Sequence, residues 1–79
     1  MEYDKDKVDE MTLALMWQVV WHDSYGPRAW KGFDWDAMNR LHEKGFIHDP
    51  KSKAKSVSMT PEGLEKAKAL FAEHFGAAE

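Results

Sequence analysis

A helix stop and a helix start, separated by one short segment, constrain the fold of this chain most. Gly45 fits the position after a helix C-terminus, where a left-handed backbone is favoured. Thr60 and Pro61 fit the N-cap and the first position of the next helix. Between them, Phe46–His48 and residues 55–59 read as two short strands joined by turn residues. The sequence therefore predicts helix, hairpin and helix in that order.

The rest of the chain predicts one more helix and a linker. Asp4 is a suitable N-cap for a first helix over about residues 5–22, and residues 23–33 carry turn chemistry typical of a linker. Asp34 caps a helix over about 35–44, the hairpin covers about 46–59, and the last helix covers about 61–75. We expect a single domain over residues 1–79, mainly α with a β-hairpin, in the order α-α-β-β-α.

Apolar spacing predicts which faces of the later helices are buried. In the second helix the inward stripe is Trp35, Met38, Leu41 and His42, and in the third helix it is Leu64, Ala67, Phe71 and Phe75. Leu70 falls off the second of these stripes.

The residues that carry catalysis and metal binding are not arranged for either. The chain has no cysteine, which excludes disulfides and thiolate metal sites. The four histidines have no metal-ligand spacing, and the serines and glycines form no nucleophile or phosphate-binding motif. We expect no enzyme activity, no cofactor and no metal.

The N-terminal segment and the longest apolar run argue against a membrane protein. The first ten residues are acidic, unlike the basic start of a signal peptide. The longest apolar run, Leu13–Trp17, is far shorter than the ~20 residues of a membrane span. We expect a cytoplasmic protein.

A lysine-rich segment suggests contact with nucleic acid. Lys51, Lys53 and Lys55 lie close together with no acid among residues 50–61, and could contact phosphates. On the second helix Asn39 and Arg40 are candidates for base contacts. Asp34 and Asp36 lie at the end of that helix that would enter a groove, and phosphates would repel them. The pattern favours weak binding that is largely independent of sequence.

The tryptophans suggest a different function. Along the first helix Leu13, Trp17, Val20 and Trp21 form a second apolar stripe, which predicts a homodimer or another protein interface. The alternative is that these bulky residues fill the only core of a small domain.

Two resemblances add to this interpretation. RLHEKGFI followed by SVSMTPEGLEKAKALF resembles the C-terminal part of winged-helix domains, in which the helix recognises DNA and the hairpin is the wing. DKDKVDEMTLALMWQVV, AWKGFDWDAMNRLHEKGFI and PKSKAKSV resemble a family of short bacterial proteins known only as a domain of unknown function. The first resemblance implies a minimal winged-helix domain, and the second implies no activity.

We rank nucleic-acid binding first by a small margin. A protein-interaction or self-association module is the alternative, and a dimer would present two basic loops.

Overall fold

The computed structural model describes residues 1–77, and its elements follow the order α-β-β-α-β-α. The helices are α1 (Lys5–Met16), α2 (Trp35–Glu43) and α3 (Pro61–Phe75), and a 3₁₀ turn (Trp17–Val19) extends α1. The strands are β1 (Val20–Asp23), β2 (Gly26–Trp30) and β3 (Ser56–Ser58), and they form an antiparallel sheet in the order β1-β2-β3. The domain is therefore mixed α and β.

The predicted N-caps are confirmed for all three helices. The Asp4 carboxylate accepts a hydrogen bond from the Lys7 backbone N–H at 3.0 Å, and Asp34 accepts one from Ala37 at 3.1 Å. Thr60 caps α3 by accepting from the backbone N–H of Gly63 at 2.9 Å. Each cap satisfies a backbone donor that the first helical turn leaves free.

The predicted end of α2 is also confirmed. Gly45 has a φ of 82°, a conformation that glycine adopts without strain. The Phe46 backbone N–H donates to the Leu41 carbonyl at 3.0 Å, which is the bond of a Schellman motif. The Thr60 hydroxyl donates to the Gly45 carbonyl at 2.7 Å. One residue thus caps α3 and ties its start to the end of α2.

The prediction for residues 17–33 was wrong. The first helix ends at Met16 instead of residue 22, and the supposed linker contains β2. The two strands form a tight hairpin in which the Asp23 carboxylate accepts from the Tyr25 backbone N–H at 2.7 Å. Val20 and Trp21 are typical strand residues, and pairing with β2 outweighs their place in a helical apolar pattern.

The predicted hairpin over residues 46–59 is present only at its base. Ile47 and Met59 form an isolated bridge, and the His48 backbone N–H donates to the Ser58 carbonyl at 2.9 Å. The main partner of β3 is β2, with Ala29 opposite Val57. The segment between His48 and Ser56 is a loop rather than a long ribbon, so the predicted order α-α-β-β-α is corrected to include a third strand.

The sheet has one face toward the helices and one away from them. Val20, Ala29 and Val57 share a register row on the inner face, where Ala29 and Val57 are buried. They join a core that also contains Leu13, Met16, Met38, Leu41, Ile47, Met59, Ala67 and Leu70. On the outer face the side chains come from Trp21, Asp23, Arg28, Trp30, Ser56 and Ser58.

Two of the predicted buried stripes are partly wrong. Trp35 and His42 are exposed, while Met38 and Leu41 are buried as expected. Of the stripe predicted for α3, Phe75 is exposed. Leu70, which the spacing puts outside that stripe, belongs to the core. The buried face of α2 is therefore formed by Ala37, Met38 and Leu41, and that of α3 by Gly63, Ala67 and Leu70.

Candidate functional site

Pairing between β2 and β3 brings together two basic segments that are far apart in the sequence. Residues 24–33 carry Arg28 and Lys31, residues 50–61 carry Lys51, Lys53 and Lys55, and neither segment has an acid. We call these two segments the basic ribbon. It carries a formal charge of +5 and the rest of the chain −8, which together give the net −3 of the whole chain. The net positive charge of the chain is therefore concentrated in these two segments, which Asp23, Asp34, Asp49 and Glu62 directly flank.

Lys31 connects the two halves of the basic ribbon. Its backbone N–H donates to the Lys55 carbonyl at 3.0 Å, which continues the β2–β3 pairing beyond the strand ends. Its ammonium donates to the Ser52 carbonyl at 3.1 Å and hydroxyl at 2.9 Å, and lies 6.0 Å from the centre of the Trp35 ring. These bonds hold the lysine-rich loop against the end of the sheet. Sequence reasoning missed this residue because β2 was not predicted.

The predicted phosphate contacts are all accessible. Lys51, Lys53 and Lys55 are exposed. The Asp49 carboxylate accepts from the Lys51 backbone N–H at 2.9 Å, a local turn that orders the start of the loop. Lysine ammonium groups at an exposed loop are suited to phosphate contact because they need not give up buried partners.

Asn39 and Lys51, predicted on separate grounds, border the same hollow. They line a polar hollow of ≈ 290 Å³ together with His42, Glu43 and Asp49. The His42 ring nitrogen Nδ1 also lies 3.1 Å from the Ile47 carbonyl, which links α2 to the base of the loop. The two carboxylates in the hollow reduce its attraction for phosphate, so Asn39 is a weaker candidate than the lysines.

Arg40 is already engaged inside the molecule. Its Nε lies 2.9 Å from both carboxylate oxygens of Asp9, and its Nη2 lies 2.8 Å from one of them. Lys44 also contacts Asp9 at 2.9 Å and bridges to Asp6 at 2.9 Å. The guanidinium of Arg40 therefore holds α2 against α1, which makes it less available for the predicted base contact.

The charges in this cluster shift one another's pKa values. Burial tends to raise the pKa of Asp9, but hydrogen bonds and charges from Arg40 and Lys44 outweigh it and leave the pKa below its usual 3.8. The hydrogen bond to Asp9 raises the pKa of Arg40 above its usual value, and bonds to Asp9 and Asp6 do the same for Lys44. All three groups stay ionised near neutral pH.

The four residues predicted to form an interface on the first helix lie in different environments. Leu13 is fully buried in the core, so it cannot contact a partner, and its assignment is corrected. Trp17 is half-buried, with the Lys68 ammonium 5.9 Å from its ring centre. Val20 and Trp21 lie on β1, not on a helix, and are half-buried.

Trp21 and Trp30 form an aromatic pair on the outer face of the sheet. Their ring centres are 4.6 Å apart and their planes are inclined at 36°. Trp30 is 52% exposed, while Trp21 is half-buried. Beside them runs an open groove of ≈ 550 Å³ lined by Gln18, Val19, Val20 and the two tryptophans.

Arg28 lies on the same outer face and is fixed there by Ser56. Its Nε donates to the Ser56 hydroxyl at 2.8 Å and its Nη2 donates to the Ser56 carbonyl at 3.0 Å. Because Arg28 is two residues from Trp30 on β2, both side chains point away from the helices. The outer face thus combines a fixed cation with an exposed aromatic ring.

Residues 1–77 contain neither a metal-binding cluster nor a membrane-spanning helix. Within that range no group of three histidine, aspartate or glutamate side chains is placed to hold a metal ion. None of the described helices has the length and apolar character that crossing a bilayer requires.

Comparison with known proteins places the chain in a family. A family model described as "Domain of unknown function (DUF6429)" matches residues 4–77. The chain belongs to this family. It is similar to "Uncharacterized protein y4hR" of Sinorhizobium fredii (strain NBRC 101917 / NGR234), with 48% identity over 71 residues, 90% of this chain and 92% of that protein. No solved structure matches the DUF6429 chain significantly.

Proposed function

We propose that this DUF6429 protein is a non-enzymatic module of the bacterial cytoplasm that binds nucleic acid through its basic ribbon. The observation that carries the proposal is the separation of charge: +5 on the ribbon against −8 elsewhere. A polyanion would be attracted to the ribbon more than to the acidic remainder of the chain, so it would be oriented as it approaches.

The residues available on the ribbon support backbone contact rather than base readout. Lys51, Lys53 and Lys55 are exposed, and lysine meets phosphate as a point charge without sequence preference. Arg40, the strongest candidate for reading a guanine, is held by Asp9. The affinity is therefore weak, depends on salt and varies little with sequence.

Kinship with winged-helix domains is part of the same proposal. A short helix, a basic loop closed by the Ile47–Met59 bridge, and a threonine-capped helix follow one another as they do around a wing. In this interpretation the loop over residues 48–55 corresponds to the wing tip.

A salt titration tests the proposal directly. Fluorescence anisotropy would be measured with labelled single-stranded and duplex oligonucleotides at several salt concentrations. Each phosphate contact contributes about 0.7–0.9 to the slope of log K against log salt, so changing Lys51, Lys53 and Lys55 to Glu removes about two units or more.

A matched variant separates local contact from overall charge. Lys5, Lys7 and Lys66 are exposed lysines outside the ribbon, and changing them to Glu alters the net charge by the same amount. We expect the ribbon variant to lose binding and the matched variant to keep most of it. Equal losses would show that only net charge matters, and absence of binding to the unmodified protein at low salt would refute the proposal.

Self-association is the second candidate, and one observation favours it. Strand β1 lies at the edge of the sheet, and among the described residues no strand pairs with its outer side. Its sequence, Val20–Asp23, lacks the lysine or proline that often protects an exposed edge. Light scattering at increasing protein concentration would detect a dimer, and a monomer throughout would exclude this candidate.

A further inference from the structure

The outer face of the sheet suggests a second kind of contact with nucleic acid, in addition to the contact between the ribbon lysines and phosphates. An aromatic ring with an open side provides a surface on which a nucleobase stacks, whatever the base. Trp30 is such a ring, since it is about half exposed and lies within the basic ribbon between Arg28 and Lys31.

The immediate surroundings of Trp30 keep it in place without covering it. Trp21 packs on it at 4.6 Å between ring centres, and Ser56 is its partner across the β2–β3 pair. The groove next to the pair has a volume of ≈ 550 Å³, within the range of ligand sites, and Gln18 is one of its lining residues. Bases in a duplex are stacked on one another and could not reach this ring, whereas unpaired bases could.

Charge complementarity argues for a polyanion on this face rather than an apolar peptide. Arg28 is fixed on the outer face by two hydrogen bonds to Ser56. Lys55 precedes Ser56, and its carbonyl accepts from the Lys31 backbone N–H, so both lysines begin at the end of the sheet where Trp30 lies. Neither segment of the ribbon contains an acid, and Asp23 of the outer face lies at the hairpin end of the sheet, where it accepts from the Tyr25 backbone N–H.

We infer that the ligand is single-stranded nucleic acid. One or more of its bases stack on Trp30, in the groove beside the Trp21–Trp30 pair, and its phosphates are held by Arg28 and the ribbon lysines. The inference rests on the proposed function and specifies the class of nucleic acid. Base identity is not read, because stacking tolerates every base.

The test compares ligands that differ only in their bases. Oligo(dT) of about 12 nucleotides and an abasic oligomer with the same number of phosphates would be titrated against the protein, with tryptophan fluorescence and anisotropy as readouts. A duplex of equal length is the third ligand. We expect oligo(dT) to bind about 5–100-fold more tightly than the abasic oligomer, to quench tryptophan fluorescence, and to bind more tightly than the duplex.

Tyr3 gives a matched control variant. It is 52% exposed, as Trp30 is, but it precedes α1 between Glu2 and Asp4 and lies outside both segments of the ribbon. Trp30→Ala should abolish the preference for oligo(dT) over the abasic oligomer and most of the quenching, whereas Tyr3→Ala should preserve both. Trp30→Phe, which retains an aromatic ring, should restore part of the preference.

The outcomes separate this inference from the proposed function. If the unmodified protein binds both oligomers equally and the lysine variant binds neither, the ribbon contacts phosphates but the stacking site is wrong. If the duplex binds more tightly than oligo(dT), the single-strand assignment is wrong. If no nucleic acid binds and Trp30→Ala instead causes a dimer of the protein to dissociate, the outer face of the sheet binds a second copy of the chain. Because the ligand comparison on the unmodified protein needs no variant, misfolding of Trp30→Ala would not obscure the result.

Discussion

Asp9 of α1 is almost completely buried, and both of its carboxylate oxygens lie 2.9 Å from Nε of Arg40 on α2. Lys44, the C-cap residue of α2, contacts the same carboxylate at 2.9 Å. A buried carboxylate with two cationic partners is stable only while both elements keep their positions. This contact therefore fixes α2 against α1, and with it the base of the basic loop that follows α2.

Replacing Asp9 by Asn should weaken the fold. The change removes the negative charge that balances Arg40 and Lys44 while keeping the shape of the side chain. We expect the free energy of unfolding to fall by about 1–3 kcal/mol, since hydrogen bonds to charged groups have about this value. Urea denaturation followed by tryptophan fluorescence measures it.

Glu10→Gln is the matched control for that measurement. Glu10 is the neighbouring acid on α1, and its ion pair with Lys7 is long, at 3.7 Å, and largely exposed. Its loss should change stability by less than about 0.5 kcal/mol. Equal effects at the two positions would contradict the role assigned to Asp9.

The same ion cluster predicts how stability depends on pH. The pKa of Asp9 is lowered in the folded protein from its usual 3.8, so below that value the unfolded chain binds the proton more readily. The stabilisation from Asp9 is complete above 3.8 and is lost as the pH falls through the lower pKa of the folded state. Lys44 has a raised pKa, so its contribution persists up to 10.5 and is lost only as the pH rises through its higher folded pKa.

Unfolding curves at acidic pH test this expectation. The difference in stability between the unmodified protein and Asp9→Asn should be largest near neutral pH and should shrink as the pH falls below 3.8. A difference that stays constant over this range would mean that Asp9 does not titrate below its usual pKa.

The helix signals were readable from the sequence because they are local. Asp34, Gly45 and Thr60 act on backbone groups within a few residues, and all three occupy the predicted positions. The strands were harder to predict, because β2 pairs with β3 across a long stretch of chain, and nothing near Arg28 indicates that Ser58 is its partner. The apolar run at the end of α1 fits a helix and a strand equally well, and the pairing decides between them.

The candidate site was predictable only in part for the same reason. Lys51, Lys53 and Lys55 form a visible cluster in the sequence. Predicting that these lysines lie near Lys31 and Trp30 would require knowledge of the strand register. The pairing of Arg40 with Asp9 could not be predicted, because Asp9 is on another helix and its burial cannot be seen from spacing.

The first turn of α3 provides a prediction in which local propensity and packing disagree. Gly63 is in the helix, where alanine is intrinsically favoured by about 1 kcal/mol. A Cβ atom at this position would collide with the Phe46 carbonyl oxygen, and the neighbouring backbone atoms of Phe46 would also be too close. Because backbone cannot move aside cheaply, Gly63→Ala should destabilise the domain by about 2–3 kcal/mol. Gly32→Ala is the control, since a Cβ added at Gly32 would have no atom of the described residues within 4 Å. A stabilised Gly63→Ala protein would show that α3 does not approach Phe46 this closely.

A substitution at Leu13 tests whether this residue belongs to the core or to an interface. Its side chain is fully buried between the helices and the sheet, so Leu13→Ala should leave a cavity and lower the free energy of unfolding by about 2–5 kcal/mol. Tyr25→Ala, at a hairpin position that is 93% exposed, should change stability by less than about 0.5 kcal/mol. Thermal unfolding combined with light scattering separates the two roles. If Leu13 belongs to the core, its variant melts at a lower temperature at every protein concentration and its mass does not change. If it belonged to an interface, the loss would appear as dissociation of a dimer, and the monomer would retain its stability.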